Sequence, residues 1–219
     1  SQYVLLRAGV FSLGPAAFPA SGAYTTAILT TRWGVAPALA IAAGVGLSVA
    51  ISLLLALPLA RLRGVYQAVA RLALVQIVLT VAQNWVSVTG GASGIDRIPN
   101  VAGTAVLAVC GAATVALLST MGRYSIGRTL DVIREDETVA VSLGIAVPRY
   151  HGLAFLLSGA IAGLAGGLQA CSTYTITPGD FGFQLMVAVL AMVVLGGRTT
   201  VWGAPAGATI LTSLAELVR

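Results

Sequence analysis

Long apolar segments, separated by short polar connections, follow one another along the whole chain. A helix needs about 20 apolar residues to cross the hydrocarbon core of a bilayer. Segments that approach or exceed this length are Pro15–Thr31, Val35–Ala60, Tyr66–Val88, Val101–Thr120, Gly152–Cys171, Phe183–Leu195 and Ala204–Val218. The first and the sixth are short, which is typical of broken or re-entrant segments. The pattern therefore predicts an all-α fold, a polytopic transmembrane helix bundle with broken or re-entrant segments.

The composition indicates a lipid-facing surface. Hydrophobic residues make up 58% of the chain and charged residues 9%, whereas soluble domains carry about 25% charged residues. So few charges do not cover a water-facing surface. The net charge of +5 is too thinly spread to indicate nucleic-acid binding. It fits instead the excess of basic residues in the cytoplasmic loops of membrane proteins.

The positions of the arginines predict the orientation. The two longest connections are Thr89–Asn100 and Met121–His151. If Met121–His151 is cytoplasmic and the spans alternate from there, most of the arginines fall on the cytoplasmic side, as the positive-inside rule requires. Thr89–Asn100 and Ser172–Asp180 are then extracytoplasmic.

Two segments interrupt the apolar pattern in a similar way. They are "GVFSLGPAAFPASGAY", which begins at Gly9, and "GGRTTVWGAPAGA", which begins at Gly196. Paired interruptions of this kind point to an internal repeat around a central translocation path, although the likeness is loose enough to leave chance similarity open. Broken backbone at membrane depth must face protein or a water-filled cavity. The candidate pathway residues in these segments are Ser12, Gly14, Pro15, Gly22, Tyr24, Gly196, Gly197 and Gly203.

The sequence contains no catalytic constellation, so an enzyme is not expected. His151 is the single histidine, and Cys110 and Cys171 lie apart in apolar runs that predict buried free thiols. No cluster has the spacing of a metal site, and without lysine there is no P-loop. We therefore predict no cofactor or metal in this chain, and any energy from ATP must come through a partner. No acidic residue lies in the middle of a span, which argues against an ion-coupled transporter or channel that works alone.

A face of small residues is predicted near the end of the fifth span. Gly159, Gly163 and Gly167 recur every fourth residue within "LSGAIAGLAGGLQA". Residues at this spacing lie on one face of a helix, and small ones let a second helix approach closely. We expect this face to serve helix packing.

The stretch "GRTLDVIREDETVAVSLGI", from Gly127 to Ile145, gathers charge in an otherwise apolar chain. Its pattern predicts two short amphipathic helices. Asp136 is a candidate N-cap for the second, Glu137–Leu143, and Gly144 a candidate left-handed C-cap. Val139, Ala140 and Leu143 fall on one side of that helix. The pattern alone leaves two interpretations open, a solvated loop at the membrane interface and a docking element for a soluble partner.

At these residues the sequence resembles a known family. The stretch just quoted resembles the M-type subunit of the branched-chain amino-acid (leucine/isoleucine/valine-type) ABC transporter permeases. The same resemblance extends to five further blocks, "FSLGPAAFPASGAYTTAIL", "PLARLRGVYQAV", "VTGGASGI", "YHGLAFLLSGAIAGLAGGL" and "TPGDFGFQLMVAVLAMVVLGG". The blocks cover nearly the whole chain in the family's order. The resemblance implies one permease domain, residues 1–219, in the bacterial cytoplasmic (inner) membrane. We expect that domain to lack further native spans at both ends.

The resemblance also implies partners and roles. The partners would be a second permease subunit, two ABC ATPases that hold ATP and magnesium, and an extracytoplasmic solute-binding protein. Residues 122–150 would form a cytoplasmic coupling loop. The implied contacts with an ATPase are Arg134, Glu135, Asp136, Glu137, Val139, Ala140, Leu143 and Gly144. The implied loop facing the binding protein contains Thr89, Gly90, Gly91 and Gly94.

Two departures from the family's pattern leave the solute open. Pro15 stands where a histidine is common, and Gln76, a further candidate pathway residue, stands where an acid is common. The expected activity is ATP-driven import of branched-chain or related amino acids. Amides, urea or another small polar solute are the alternatives in the same class. A stand-alone secondary transporter or channel is the alternative from a different class.

Overall fold

The computed structural model describes residues 17–59, 65–99, 102–197 and 203–217. These residues form helices joined by short connections, and the described ranges contain no β-strand. The all-α prediction is therefore confirmed. The helices are α1 (Ala17–Arg32), α2 (Pro37–Leu59), α3 (Val65–Asn84), α4 (Val86–Thr89), α5 (Thr104–Arg123), α6 (Ser125–Glu135), α7 (Glu137–Ser142), α8 (Val147–Thr173), α9 (Phe183–Gly196) and α10 (Gly203–Leu217). Two 3₁₀ turns, Gly91–Ser93 and Pro178–Phe181, lie in the connections.

Four helical segments in the described ranges are long and apolar enough to span a bilayer. They are Pro37–Ala56, Thr104–Gly122, Val147–Thr173 and Pro178–Gly196. A further pair, Leu72–Asn84 and Val86–Ser93, meets the same test but is bent by 79°. The chain is therefore a multi-pass membrane protein.

The helix break that the structure shows lies in the third predicted span, whereas the sequence predicted breaks in the first and the sixth. The third predicted span, Tyr66–Val88, stops at Asn84 and turns at Trp85, whose φ of −87° and ψ of 59° are not helical. The hydroxyl of Thr89 donates to the carbonyl oxygens of Ala82 at 2.5 Å and of Trp85 at 2.8 Å. The bond to Ala82 supplies a donor to a carbonyl oxygen at the end of α3, where the helix breaks. The described part of the first predicted span is an unbroken helix.

The predicted face of small residues packs against two helices at once. Gly159, Gly163 and Gly167 of α8 lie against Ser52, Ser48 and Ile41 of α2 in turn. Residue numbers rise on α8 as they fall on α2, so these helices run antiparallel. The predicted packing role is confirmed.

The helix α1 completes this three-helix core by packing on the same glycine-lined part of α8 and on α2. A Cβ atom on Gly22 would overlap the carbonyl oxygen of Gly163, and a Cβ atom on Gly167 would press on the hydroxyl of Thr26. These pairs show that α1 runs parallel to α8. The relative directions of α1, α2 and α8 agree with the alternation that the arginine positions predict.

Buried hydroxyl groups cross-link the three-helix core. The hydroxyl oxygens of Ser21 and Ser48 lie 2.9 Å apart, and Ser48 also donates to the carbonyl oxygen of Phe18 at 3.1 Å. The helices α9 and α10 form a second tightly packed pair. There a Cβ atom on Gly207 would overlap the carbonyl oxygen of Met192, and one on Gly196 would overlap that of Gly203.

Candidate functional site

The charged stretch folds as two short helices laid against the start of α8. In α6, Leu130 and Ile133 are buried while Arg134 and Glu135 at its end are exposed. Leu130 packs with Ala154 of α8. One apolar side of α6 thus fixes the segment to a long membrane helix, and its charged end is left in solvent.

Asp136 starts α7 by capping it, as the sequence predicted. Its Oδ1 accepts hydrogen bonds from the backbone nitrogens of Thr138 at 2.8 Å and Val139 at 3.2 Å, and from the Thr138 hydroxyl at 2.6 Å. The hydrogen bond from the Thr138 side chain, followed by those from the two backbone amides, lowers the pKa of Asp136. These bonds favour the carboxylate, because a charged oxygen accepts hydrogen bonds more strongly than a neutral one.

Gly144 ends α7 with a left-handed conformation, φ 78°. The amide of Leu143 donates to the carbonyl of Val139, and the amide of Ile145 donates to that of Ala140, both at 3.1 Å. The predicted glycine cap is confirmed. It turns the chain sharply, so that α8 begins at Val147 and not at the predicted Gly152.

The helix α7 has one buried side, which faces α6 and α8, and two exposed sides. Ala140 is fully buried and packs with Ile133 and Val147. Val139 is 49% exposed and Leu143 is 67% exposed, on adjoining turns of one flank. Ala140 therefore anchors the segment, whereas the predicted set had placed it with the contacting residues.

The opposite flank of α7 is equally accessible. Val141 is 58% exposed, and it lies about 160–200° around the helix from Val139 and Leu143, because successive residues advance by about 100°. Glu137 is exposed on the same side as Val141. The segment thus presents one purely apolar flank and one mixed flank to its surroundings.

At the other end of the bundle, the two predicted outer loops are joined in a loop clasp, defined here as residues 89–98 and 174–181. Ile95 and Ile176 form an antiparallel bridge, with backbone hydrogen bonds of 3.0 and 3.1 Å. The amide of Ile98 adds a third bond, to the carbonyl of Tyr174 at 3.1 Å. Both loops therefore lie at the same end of the molecule, as the predicted topology requires.

The glycines of the loop clasp give it its shape. Gly90, Gly91 and Gly94 all have positive φ, between 66° and 78°. Thr89 and Gly91 are buried, so they shape the loop instead of facing outward. The exposed tips are Ala92 with Ser93 and Asp96 with Arg97.

The candidate pathway residues fall into separate places. Ser12, Gly14 and Pro15 lie outside the described residues. Gly22 and Tyr24 lie in α1, where Gly22 serves the close contact with α8 and Tyr24 is buried. Gly196, Gly197 and Gly203 gather where α9 meets α10. Gln76 of α3 is exposed.

Sequence reasoning missed the apolar plug of the loop clasp. Ile98, Ile176 and Phe181 come from loops that look polar, yet each is at most 1% exposed and packs against α1 and α3. The sequence feature that could have predicted their burial is the presence of isolated large apolar residues inside polar loops. Among the described residues no group of three or more His, Cys, Asp or Glu side chains is placed to hold a metal ion.

The sequence model of one protein family matches the whole chain. The family is described as "Branched-chain amino acid transport system / permease component", and the match covers residues 1–219. The chain belongs to this family.

The curated relatives of the chain have names that agree with this family. The chain is 31% identical to the high-affinity branched-chain amino acid transport system permease protein LivM of Salmonella typhimurium, over 96% of the chain and 58% of that protein. It is 30% identical to LivM of Escherichia coli K12, with the same coverage. The permease chain thus spans 58% of the length of these relatives. No solved structure matches it.

A cleft of about 400 Å³ lies between α5 and α8 of the permease. Its walls are mostly apolar, with Thr114, Gln169 and Ser172 as polar members. The α5 helix carries no buried residue in its apolar window. Much of α5 therefore faces lipid or another subunit.

Proposed function

We propose that this permease is a membrane-spanning subunit of an ABC importer that moves branched-chain or related amino acids across the cytoplasmic membrane. ATP hydrolysis takes place on two partner ATPases, since this chain has no P-loop of its own. The observation that carries the proposal is the α7 segment. It is held from inside by Ala140 and leaves Val139 and Leu143 exposed to a partner.

The exposed flank of α7 suits a docking element. Two apolar side chains on adjoining turns, 49% and 67% exposed, stand beside the charged residues 134–137. Protein interfaces combine an apolar centre with a polar rim of this kind. Val139 and Leu143 form the centre of the ATPase contact, and Arg134 with Glu135 belongs to its rim.

The anchoring of α7 provides a route for mechanical coupling. Ala140 packs on Val147, the first residue of α8. Along its length, α8 packs on α1 and α2 through the small-residue face. A movement of α7 that follows closure of the ATPases therefore reaches the helices that line the core. ATP switches the bundle because the ATPases bind its two states with different affinity.

The remaining partners bind the other free surfaces. A second permease subunit covers exposed apolar faces of the bundle within the membrane. An extracytoplasmic solute-binding protein contacts the exposed tips of the loop clasp, and this fixes the side of the membrane from which the solute arrives. The family and the names of the relatives support an amino acid with a branched apolar side chain as the solute.

The test uses the complete transporter, assembled from the full protein and its partner subunits in proteoliposomes. Replacing Val139 and Leu143 together by serine should lower ATPase retention and leucine uptake at least tenfold, about the loss expected for an interface centre. Val141→Ser is the matched control, because it removes an equally exposed valine from the opposite flank. Equal retention and uptake in both variants would contradict the docking role. Absence of leucine uptake by the wild-type transporter would contradict the amino-acid assignment.

A further inference from the structure

The hydroxyl group of Tyr24 is buried without a hydrogen-bond partner among the described residues. The side chain is 6% exposed. Its neighbours on α1 are satisfied locally, because Thr25 and Thr26 donate to the carbonyl oxygens of Ser21 and Gly22 at 2.7 and 2.8 Å. A tyrosine hydroxyl stands too far from its own helix to do the same. It projects beyond the backbone that satisfies the other hydroxyls of α1.

The loop clasp supplies the cover over Tyr24. The ring of Phe181 lies against the ring of Tyr24, with centroids 6.3 Å apart and planes at 52°. Phe181 and Ile176 are both fully buried in the same apolar cluster as Tyr24. Ile176 lies in the segment that follows α8, and Phe181 lies in the 3₁₀ turn that precedes α9.

A buried hydroxyl group without a partner is unfavourable, and native proteins seldom keep one. Phenylalanine has the same shape and would avoid this cost. The hydroxyl is therefore best explained by a second state of the molecule in which it has a partner. The cover over it consists of loops, and loop segments are the parts of a fold that open most readily.

We infer that the Tyr24 hydroxyl donates a hydrogen bond to the carboxylate of the transported amino acid when the plug of Ile98, Ile176 and Phe181 moves aside. This inference rests on the proposed function. A neutral hydroxyl donor binds an anionic oxygen more strongly than a neutral one, since charge-assisted hydrogen bonds exceed neutral ones.

Position along the pathway follows from the same contacts. Tyr24 lies in α1, within the three-helix core, and Phe181 reaches it from the side of the loop clasp. The Tyr24 side chain therefore lies on the side of the core that faces the loop clasp. The plug separates this group from the outside until the loops move aside.

The experiment replaces Tyr24 by phenylalanine in the complete transporter. The variant keeps the ring contact with Phe181 and removes one oxygen atom. We expect the KM for leucine uptake to rise about tenfold, because a hydrogen bond to a charged group is lost. The melting temperature of the permease should stay the same or rise, since an unpaired buried hydroxyl is gone. A purely structural role of the hydroxyl would instead leave KM unchanged.

A second readout identifies the group that the hydroxyl binds. In the solubilised transporter without binding protein, leucine should raise the melting temperature of the wild type by mass action, and leucinamide should not. Tyr24→Phe should lose the response to leucine. Equal responses to leucine and leucinamide would overturn the carboxylate assignment. Thr212→Val, which removes an exposed hydroxyl group from α10, is the control and should behave as the wild type.

The outcomes separate this inference from the proposed function. Leucine uptake by the wild type with an unchanged KM in Tyr24→Phe overturns the role of Tyr24 alone. A wild-type transporter that moves no leucine overturns the proposed function and this inference together.

Discussion

Ile95 and Ile176 exchange two backbone hydrogen bonds, of 3.0 and 3.1 Å, and so join the loop after α4 to the segment after α8. These residues are more than 80 positions apart in a chain of 219. Their pairing places both loops at one end of the bundle. The α6–α7 segment lies at the opposite end of α8.

This arrangement makes the topology testable by labelling. A cysteine in place of Ser93, which is exposed in the loop clasp, should react with a membrane-impermeant maleimide from outside intact cells. A cysteine in place of Ser142, exposed at the end of α7, should react only after permeabilisation. The unsubstituted chain gives the background, because Cys171 is buried and Cys110 is partly buried. The reverse pattern would show that the orientation is inverted.

The contact between Gly22 and Gly163 predicts a strong effect of one methyl group. In Gly22→Ala the added Cβ overlaps the Gly163 carbonyl oxygen, and overpacking of this kind costs about 1–3 kcal/mol. The melting temperature of the purified permease should fall accordingly. Gly46→Ala is the matched control, since a Cβ atom there meets nothing within 4 Å. That variant should be neutral or slightly more stable, because alanine favours a helix by up to about 1 kcal/mol over glycine. Similar melting temperatures for the two variants would refute the close contact.

Gly94 is predicted to hold the loop clasp together. Its φ of 78° and ψ of −160° belong to glycine, and a Cβ atom would overlap the carbonyl oxygen of Ile176. Forcing another residue into such a conformation costs about 1–3 kcal/mol. Gly94→Ala should speed hydrogen exchange at the amides of Ile95 and Ile176. Gly103→Ala, just before α5 with open space around it, should leave those amides protected. Unchanged protection in Gly94→Ala would mean that the bridge does not depend on this residue.

The cap at Asp136 predicts a dependence on pH. Hydrogen bonds from Thr138 and Val139 lower the pKa of Asp136 below its ordinary value of 3.8. The stabilisation is therefore complete above that ordinary value and is lost as the pH falls through the lowered pKa. The amides of Thr138 and Val139 should stay protected from hydrogen exchange at pH 7 and lose protection in strong acid.

Two substitutions test the same cap at neutral pH. Asp136→Ala removes the acceptor and should expose both amides at pH 7. Asp136→Asn should keep most of the protection and remove its dependence on pH, because asparagine caps helices about as well as aspartate. If protection in the wild type grew toward acid pH, the sign of the pKa shift would be wrong.

Local features of the fold were predictable because they depend on residues close in sequence. The apolar runs required helices at membrane depth, since a lipid-exposed backbone must satisfy its own hydrogen bonds. Asp136 and Gly144 marked the ends of α7 because a cap needs only the next few residues. The four-residue spacing of Gly159, Gly163 and Gly167 already defined a packing face, although not its partners.

The break at Trp85 and the burial of Ala140 were not predictable in this way. The apolar pattern continues through Trp85, and the bend depends on the hydroxyl of Thr89 reaching back to Ala82. Val139, Ala140 and Leu143 look alike in sequence, and only the position of α8 decides which of them faces inward. The helical period gives the relative directions of side chains but not the direction of the core.

The sequence by itself determined that this protein spans the membrane as helices, where its charged segment lies and to which family it is similar. Tertiary structure alone decided that two distant loops join through Ile95 and Ile176, and that Phe181 covers the hydroxyl of Tyr24. The physical reason is the range of the interactions. Hydrophobic period and caps act within one or two helical turns, whereas the plug depends on contacts between residues more than 150 positions apart, which no local pattern encodes.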